Sequence, residues 1–332
     1  MRHFTLLMHR PRDGVTGFGR LALPFPRASY RGGCEASRLE FARKKRTQVP
    51  EPRSLFRDDS AVMLNGIFDR IQGTSTPRSN LPRVVFLHLP RTGGTALAKD
   101  ILLPNFPRSQ WCHVNYGSDG KSQGGADDPL QWGPARRHRI RLLAGHMPLE
   151  LTRHFPGPFE SVTMLRDPVA RTVSDYYHCR QNPANPAHEV ARNLSLVEFV
   201  EQGYGLTHNC YARWLSNASY GTRFSTEHEM LQVARMNLAA FNLIGLTEQF
   251  DISVRRVCER YRLTQRPLST ENRNVATPRA AGISAKERRV IMRCNELDVI
   301  LYEDARHRFL DDGAEMAVNR GGTDTLERPT HT

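Results

Sequence analysis

Short apolar runs, separated by helical patterns, organise the chain between residues 83 and 310. VVFLHL at 84–89 and SVTML at 161–165 are compact runs rich in strand-forming residues. RIRLLAGH at 139–146 and FNLIGL at 241–246 have the same character. The pattern therefore predicts four buried strands, the first at 84–89 and the last at 241–246.

Helical patterns lie between and after these runs. TALAKDIL follows the glycines of the first loop, PVARTVSDYYH follows the third strand, and FDISVRRVCERY follows the fourth. Capping-box spelling, in which a Ser or Thr is followed three residues later by Glu, predicts helix starts at Ser195, Thr226 and Ser284. From Ser284 to Phe309 the pattern is helical, either continuous or broken near Asn295.

This alternation of strands and helices predicts the fold class. Parallel strands need crossover helices, and those helices cover both faces of the sheet. We therefore expect an α/β fold with a mainly parallel sheet. The Gly- and Asp-rich stretch 115–128 predicts a long loop between the first two strands.

The two ends of the chain lack such patterns. Residues 1–80 are rich in Arg, Pro, Gly and Ser, which predicts a basic and mostly disordered extension, and 316–332 predicts a disordered tail. The folded domain is then 81–315. A nucleic-acid-binding arm is an alternative for 1–80, disfavoured because the aromatic interleaving that supports base stacking is missing. A second alternative is that translation starts at Met63, the first residue of the helix-like segment MLNGIFDRIQG.

The charge of the chain is unevenly distributed. The formal net charge is +13, but residues 1–62 hold thirteen Lys and Arg against six Asp and Glu, so more than half of the excess lies there. The mild excess that remains suits an anionic small molecule or glycan and does not call for nucleic acid as a partner.

The sequence also limits the compartment. The sequence contains no run of 18 apolar residues that would predict a membrane span. The apolar stretch at the N-terminus is too short for a signal peptide. The six cysteines form no CxxC pair, which argues against a zinc site and a disulfide framework. We expect a cytoplasmic protein with reduced thiols. The oligomeric state is left open.

The loop after the first strand has the composition of an anion-binding site. In parallel sheets, ligands bind beyond the carboxyl ends of strands, where helix N-termini point N–H groups outward. This loop reads Pro90-Arg91-Thr92-Gly93-Gly94-Thr95. Its glycines permit close approach of the backbone, its threonines offer hydroxyl groups and its arginine adds charge. It lacks the GxxxxGK[ST] spacing of nucleotide-hydrolysing loops, and a plain tight turn is the alternative.

A second basic position follows the third strand. Arg166 stands at the carboxyl end of that strand, and Ser174 lies eight residues later, about two turns into the following helix. A second anion site beside the first is therefore geometrically reasonable. Local pairing of Arg166 with Asp167, with Ser174 on the helix surface, is the alternative.

Together these two motifs carry a resemblance to a family. FLHLPRTGGTAL, followed by TMLRDPVARTVSDYYH, resembles the paired cofactor-binding motifs of PAPS-dependent sulfotransferases of the carbohydrate type, related to heparan sulfate 2-O-sulfotransferase and its bacterial relatives. AGHMP, IGLTEQFD, NRNVATPR and NELDVILYEDARHRF extend the resemblance over about residues 83–310. It implies a P-loop-like three-layer fold.

The resemblance implies roles for residues of both motifs. The 5′-phosphosulfate of PAPS would bind the first loop, and the 3′-phosphate would bind the second motif. A loop before the last helices would close over the nucleotide. The residues implied for cofactor binding are Arg91, Thr92, Gly93, Gly94, Thr95, Arg166, Ser174 and Arg273.

The same resemblance implies His146 as the catalytic base, because it follows a glycine at the end of the second strand. Histidine titrates near neutrality, which suits proton abstraction from a hydroxyl group. A structural histidine is the alternative. Glu248 is a weaker candidate base, with a structural role as its alternative. His88, inside the first strand, is expected to be packed or hydrogen-bonded in the core and not reactive. The segment 208–221, with Tyr211 and Trp214, could line a sugar cleft or belong to the core.

Position 91 departs from the family, which usually has Lys there. Arginine is planar, bulkier and always charged, so the exchange is not neutral in a tight site. Only five of the 47 basic residues are lysine, so a general drift towards arginine could explain it. We expect Arg91 to serve as the catalytic clamp on the leaving group, with a protein that binds the cofactor and turns over slowly as the alternative.

The resemblance thus implies an enzyme that moves a sulfuryl group from PAPS to a hydroxyl of a carbohydrate-like acceptor by in-line displacement, without a metal. The alternatives are a PAP- or PAPS-binding protein with impaired catalysis, and a P-loop kinase or NTPase. The last is disfavoured by the missing lysine and by the absence of an obvious Mg²⁺-binding carboxylate after a strand.

Overall fold

A computed structural model of the chain describes residues 81–116, 128–268 and 282–321. The predicted extension 1–80, the start at Met63 and the residue Arg273 lie outside these ranges. The proposed domain boundaries stay predictions.

The centre of the structure is a five-stranded sheet in which all strand pairs are parallel. The strand order is β2-β3-β1-β4-β5, so the first strand of the chain lies in the middle. The strands are β1 (Val84–Leu87), β2 (Trp111–Asn115), β3 (Leu142–His146), β4 (Glu160–Leu165) and β5 (Leu243–Leu246).

The edge strand β2 was not predicted from the sequence. Its five residues WCHVN alternate between apolar and polar positions and lack the continuous apolar run of the central strands. An edge strand has one neighbour only, here β3, so polar side chains are tolerated. The other four strands lie within the predicted runs or differ from them by one residue at an end.

Ten helices connect the strands in the described residues. Helix α1 is continuous through Gly94–Ala96, Leu97–Leu102 and Leu103–Asn105, with a π-helical middle part. The others are α2 (Pro134–Arg139), α3 (Pro168–Gln181), α4 (His188–Asn193), α5 (Leu196–Glu201), α6 (Cys210–Leu215), α7 (Glu227–Ala240), α8 (Phe250–Tyr261), α9 (Ala285–Cys294) and α10 (Glu296–Gly321).

Both faces of the sheet are covered, as the alternation predicted. Along β1, Val84 and Phe86 pack against α1 and α8, whereas Val85 and Leu87 belong to the apolar cluster formed with α6, α7 and α10. Successive residues of a strand point to opposite faces, so one short strand contributes side chains to the apolar clusters on both faces of the sheet. The three-layer α/β arrangement is confirmed.

Predicted helix starts are also confirmed. Ser195 and Ser284 form reciprocal capping boxes with the glutamates three residues later. Thr226 accepts a hydrogen bond from the Glu229 N–H, but the Glu229 carboxylate accepts from Ser225 N instead of closing the box. The last helical pattern is broken at Asn295, between α9 and α10.

Asn295 breaks the helical pattern because its side chain is used inside the core. Its Nδ2 donates to the carbonyls of Thr207 (2.7 Å) and Ile291 (2.9 Å). Its Oδ1 accepts from Arg171 Nη2 (3.2 Å) and Asn209 N (3.1 Å). A buried polar side chain with these partners satisfies backbone groups that the interrupted helix leaves open.

Next to Asn295 lies a buried ion pair between Arg171 of α3 and Asp298 of α10, with 3.9 Å between Nη2 and Oδ2. Both side chains are inaccessible to solvent. Asp298 also accepts hydrogen bonds from the N–H groups of Tyr211 and Ala212, each 3.0 Å long. The carboxylate therefore fixes the first turn of α6 and neutralises a buried guanidinium.

Within the described residues, no helix combines the length and the low polarity needed to cross a membrane.

The buried pair generates a stability prediction. Asp298→Asn leaves the Arg171 charge uncompensated in the core, so we expect the free energy of unfolding to fall by about 3 kcal/mol. Asp304→Asn, on the same helix, is the matched control, because Asp304 forms an exposed pair with Arg235 at 2.7 Å. Its loss should cost about 1 kcal/mol or less. Urea titrations measure both changes. Equal decreases in the free energy of unfolding for the two variants would show that the buried pair contributes no more than the exposed pair.

Candidate active site

The carboxyl ends of the strands bring three predicted site residues, and one threonine that was not predicted, to one edge of the sheet. Arg91 lies in the loop after β1, His146 ends β3, Arg166 follows β4 and Thr247 follows β5. Because all strands are parallel, their carboxyl ends meet at the same edge. Segments that are far apart in sequence therefore share one location.

The loop after β1 has an unusual backbone. Arg91 and Gly93 both have a left-handed conformation, with φ of 66° and 78°. Positive φ is uncommon for a residue other than glycine and often marks functional sites. The Thr92 hydroxyl donates to Leu89 O at 2.8 Å, and Ala96 N donates to Gly93 O at 3.1 Å. The loop is therefore held in a tight turn that leads directly into α1.

Gly94 is required by close packing. A Cβ atom at this position would lie 2.1 Å from Cδ2 of His88. The main chain at the start of α1 therefore touches the imidazole ring at the end of β1. Gly94, Thr95 and Ala96 form the first turn of α1, where backbone N–H groups lack acceptors within the helix.

Arg91 and Ser174 are in direct contact. The Arg91 Nε and Nη2 atoms lie 3.3 and 3.1 Å from Ser174 Oγ, which accepts from the guanidinium. Ser174 is only 5% exposed, so it is not the helix-surface residue of the alternative interpretation. Two motifs that are 83 residues apart thus form one site.

Arg166 joins the same cluster. Its Nη1 donates to the carbonyl oxygen of Arg91 at 3.4 Å. The Tyr211 hydroxyl accepts from Arg166 N at 3.0 Å and donates to Arg166 O at 2.7 Å, which fixes the backbone at this point. The Asp167 carboxylate caps α3 by accepting from Ala170 N at 2.8 Å, so it is engaged with the helix.

The segment after β5 ties the two basic loops together. The Thr247 hydroxyl lies 2.7 Å from Thr92 O and 3.0 Å from Leu165 O, so it bridges the loop after β1 and the end of β4. Glu248 accepts from Asp167 N at 2.9 Å and from the Tyr302 hydroxyl at 3.0 Å. Both of its carboxylate oxygens are therefore occupied by structural contacts.

The cluster has positive charge without a paired carboxylate. In the described part of the chain, neither Arg91 nor Arg166 forms an ion pair with Asp or Glu. Burial lowers the pKa of Arg91, and the charge of Asp175 opposes this effect. An arginine remains protonated in proteins, so the edge carries two adjacent positive charges. Such a site favours an anion with several oxygen atoms.

The two threonines of the loop differ in what they can offer to a ligand. The Thr92 side chain is fully buried and its proton is used within the loop. Thr95 is half-buried, and its hydroxyl has no hydrogen bond to any residue in the described ranges. Thr95 is therefore the threonine whose hydroxyl is available.

His146 lies beside this cluster in a defined tautomeric state. Its Nδ1 is 2.5 Å from the carbonyl oxygen of His88. A carbonyl oxygen can only accept, so the proton is on Nδ1 and Nε2 carries a free electron pair. Burial lowers the pKa of His146 to about 4, against a smaller opposite effect of the hydrogen bond to His88. The imidazole is thus neutral at physiological pH.

Two aromatic rings enclose His146. The His88 ring stacks on it with 4.4 Å between ring centroids and an interplanar angle of 21°. Trp214 contacts it edge-on at 5.1 Å. Tyr211 is completely buried in the core, whereas Trp214 is half-buried, so the two candidates of segment 208–221 have different locations.

The residues that support the site have little signal in the sequence. Tyr211 fixes the backbone of Arg166, and Thr247 holds the loop after β1. The charge of Asp175 acts on Arg91, and all three residues come from other parts of the chain. Only Thr247 had a usable signal, because a threonine directly after a buried parallel strand lies at the ligand-binding edge.

No family model matches the chain. Heparan-sulfate 6-O-sulfotransferase 3 of Mus musculus is 26% identical over 270 residues, which covers 68% of this chain and 57% of that protein. The chain thus spans little more than half the length of this curated relative. The position named for this relative is 6-O, so the expected similarity to the 2-O type stays a prediction.

A plant relative and a solved structure provide two further comparisons. The protein-tyrosine sulfotransferase of Arabidopsis thaliana is 34% identical over 100 residues, covering 30% of this chain and 18% of that protein. A crystal structure of mouse sulfotransferase SULT7A1 complexed with PAP has a TM-score of 0.34 and 13% identity, covering 66% of this chain and 65% of that one. By sequence, this chain is similar to sulfotransferases over about two thirds of its length.

Proposed function

We propose that this chain is a sulfotransferase that transfers the sulfuryl group of PAPS to a hydroxyl group of a carbohydrate-like acceptor. The observation that carries the proposal is the contact between Arg91 and Ser174, which unites the two anion motifs in one cationic site. The sequence similarity to curated sulfotransferases supports the same reaction.

The residues at the sheet edge fit a nucleotide with phosphate groups at two positions. Gly93, Gly94 and Thr95 would hold the 5′-phosphosulfate with main-chain N–H groups and one hydroxyl, at the N-terminus of α1. Arg166 and Ser174 would hold the 3′-phosphate. Arg91 touches Ser174 and lies in the first loop, so it would serve both groups.

Some roles in the site are less direct. The Thr92 hydroxyl is engaged with Leu89, so Thr92 would contribute through its backbone and through the shape of the loop. Arg273 lies outside the described residues, and its role in closing over the nucleotide stays a prediction.

When bound, PAPS supplies an activated sulfuryl group whose transfer to an oxygen nucleophile leaves PAP. Nε2 of His146 would take the proton of the acceptor hydroxyl. Arg91 would stabilise the negative charge on the phosphate oxygen that leaves. A positioned base contributes about 10² to 10⁴-fold, and fixed donors at a developing charge contribute a similar or larger factor.

The low pKa of His146 is compatible with this role. The imidazole is unprotonated at neutral pH, so Nε2 is able to accept a proton in every molecule. An anion bound at the neighbouring loop favours the imidazolium form and raises the pKa during the reaction. A proton from the hydroxyl group is then easier to accept.

Arginine at position 91 suits the geometry of this site. Two of its nitrogen atoms lie within hydrogen-bond distance of the same serine oxygen. A lysine ammonium offers a single point charge, whereas a guanidinium can donate to two oxygens at once. We infer that Arg91 is the leaving-group clamp and that the Arg for Lys exchange keeps a working enzyme.

The first alternative is a PAP- or PAPS-binding protein with impaired catalysis, which has the same binding residues and differs only in turnover. The second, a P-loop kinase or NTPase, would need carboxylates for Mg²⁺. The two acids nearest to the strand ends, Asp167 and Glu248, are engaged in capping α3 and in structural hydrogen bonds. This observation favours the sulfotransferase.

Two classes of hydroxyl group are candidates for the acceptor. A carbohydrate hydroxyl is suggested by the heparan-sulfate relatives, and a tyrosine hydroxyl by the plant relative. An assay with labelled PAPS against a panel of oligo- and polysaccharides, with a tyrosine peptide as comparison, identifies the class. Transfer to the peptide alone would overturn the carbohydrate part. Independence from metal ions and a cytoplasmic location stay predictions.

Replacement of the base tests the mechanism. His146→Ala should bind PAP as the natural protein does, but sulfuryl transfer should fall by at least ~10²-fold. In the natural protein, kcat/KM, which reports the pKa of the free protein, should decline as the pH approaches about 4, where His146 becomes protonated. His307→Ala, at an exposed position of α10, is the matched control and should leave both activities intact. Retained turnover of His146→Ala would refute the assignment.

Replacement of Arg91 separates an active enzyme from a binding protein. Arg91→Ala should weaken PAP binding about tenfold to a hundredfold, because a hydrogen bond from a charged donor is worth about 1.5–3 kcal/mol. Arg91→Lys should reduce PAP affinity and sulfuryl transfer less than Arg91→Ala does, because the ammonium keeps the positive charge but not the paired donors. An inactive natural protein that becomes active on Arg91→Lys would instead support the impaired-catalysis alternative.

A further inference from the structure

His88 occupies an unusual position between the anion loop and the candidate base. It follows β1 directly, and its N–H continues the sheet by donating to Gly145 O at 2.9 Å. Its side chain is 9% exposed. The sequence predicted a packed residue, but the structure brings its ring into contact with two functional segments.

The first contact is with the anion loop. Cδ2 and Nε2 of His88 lie where a Cβ of residue 94 would be, at 2.1 and 2.6 Å from that point. The ring therefore touches the main chain of Gly94, in the first turn of α1. Any change in the position of this turn is transmitted to the ring, because packed groups have no free space to absorb it.

The second contact is with His146, and it involves both the backbone and the ring. The His88 carbonyl oxygen holds Nδ1–H of His146 and thereby sets its tautomer. The two rings are stacked at 4.4 Å between centroids. On the other side of His88, Phe86 is stacked at 5.7 Å with an interplanar angle of 15°.

These contacts continue into a row of five rings. The row is Phe86, His88, His146, Trp214 and Tyr220, with the last two in edge-on contact at 5.4 Å. Its first member is buried in the core under α1 and α8. A ring that is held on both sides loses rotational freedom, so the plane of His146 is fixed before a ligand binds.

The His88 ring makes its contacts with other rings and with the main chain of Gly94. Its surroundings are His146 on β3, His113 on β2 and Arg91 in the loop, and burial together with these groups lowers its pKa well below the ordinary value. The ring is neutral and acts through its shape.

We propose that His88 is a positioning residue, which holds His146 in its productive orientation and links that orientation to the anion loop. The inference rests on the proposed function, since it gives His146 the role of base. It assigns no direct contact with substrate to His88. A flat ring at position 88 is what the role needs, and an imidazole is one such ring.

Two substitutions of similar size separate shape from volume. His88→Phe keeps a flat ring, whereas His88→Leu fills the space without one. We expect PAP affinity to stay within about threefold in both, because neither changes a group that binds the anion. The turnover number should fall at least ~10-fold in His88→Leu, since small displacements of a catalytic group cost up to 10²-fold, and should fall less than about threefold in His88→Phe.

The pH dependence provides a readout that a purely structural role would not move. In His88→Leu the His146 ring loses its stacking partner and becomes free to turn towards solvent, so its pKa should rise from about 4 towards the ordinary value. The acid limb of the rate profile should move to higher pH accordingly. In His88→Phe both should stay where they are in the natural protein. His307→Leu, exposed on α10, is the matched control and should change neither quantity.

Nuclear magnetic resonance titration of ¹⁵N-labelled histidine measures the tautomer and pKa of His146 without turnover. The titration distinguishes failure of the positioning role from failure of the proposed function. A protein that transfers no sulfuryl group would refute the proposed function, but the pKa of its His146 could still be measured. The tautomer should be unchanged, because the His88 carbonyl oxygen is kept, and the same His146 pKa in His88→Leu as in the natural protein would overturn the positioning role. Equal losses of rate in His88→Leu and His88→Phe would overturn it as well.

Discussion

Two guanidinium groups, those of Arg91 and Arg166, lie side by side at the carboxyl edge of the sheet without a carboxylate partner in the described residues. Like charges repel, and the cost grows when they are partly removed from water. The surrounding structure offsets this cost with neutral acceptors. Ser174 accepts from one guanidinium, and the carbonyl oxygen of Arg91 accepts from the other.

Much of the fold serves to hold these groups in place. Tyr211 fixes the backbone of Arg166, and Asp298 in turn fixes the first turn of the helix that carries Tyr211. Thr247 fixes the loop of Arg91 from the end of β5. The candidate site is therefore held by contacts within the chain, and donors fixed in this way are the ones that stabilise a developing charge most effectively. The neutral His146, enclosed by rings, completes it on the neighbouring strand.

The sequence was sufficient for the elements that depend on continuous apolar runs and on capping residues. Four strands and the capped helices follow from such local signals, and the convergence of the two basic motifs follows from parallel topology alone. Strand β2 was missed because an edge strand with alternating polar residues resembles a loop. The ring row and the roles of Tyr211 and Asp298 could not be predicted, since they depend on contacts between segments far apart in sequence.

We propose that the loop after β1 and the segment after β4 form one site for a nucleotide with phosphate groups at the 5′ and 3′ positions of its ribose. Calorimetric titration of the natural protein with PAP, with adenosine 5′-monophosphate and with ATP and Mg²⁺ tests this directly. We expect PAP to bind at least ~30-fold more tightly than the monophosphate, because the 3′-phosphate adds charged hydrogen bonds. Equal affinity for PAP and the monophosphate, or tighter binding of ATP with Mg²⁺, would show that the two motifs do not form such a site.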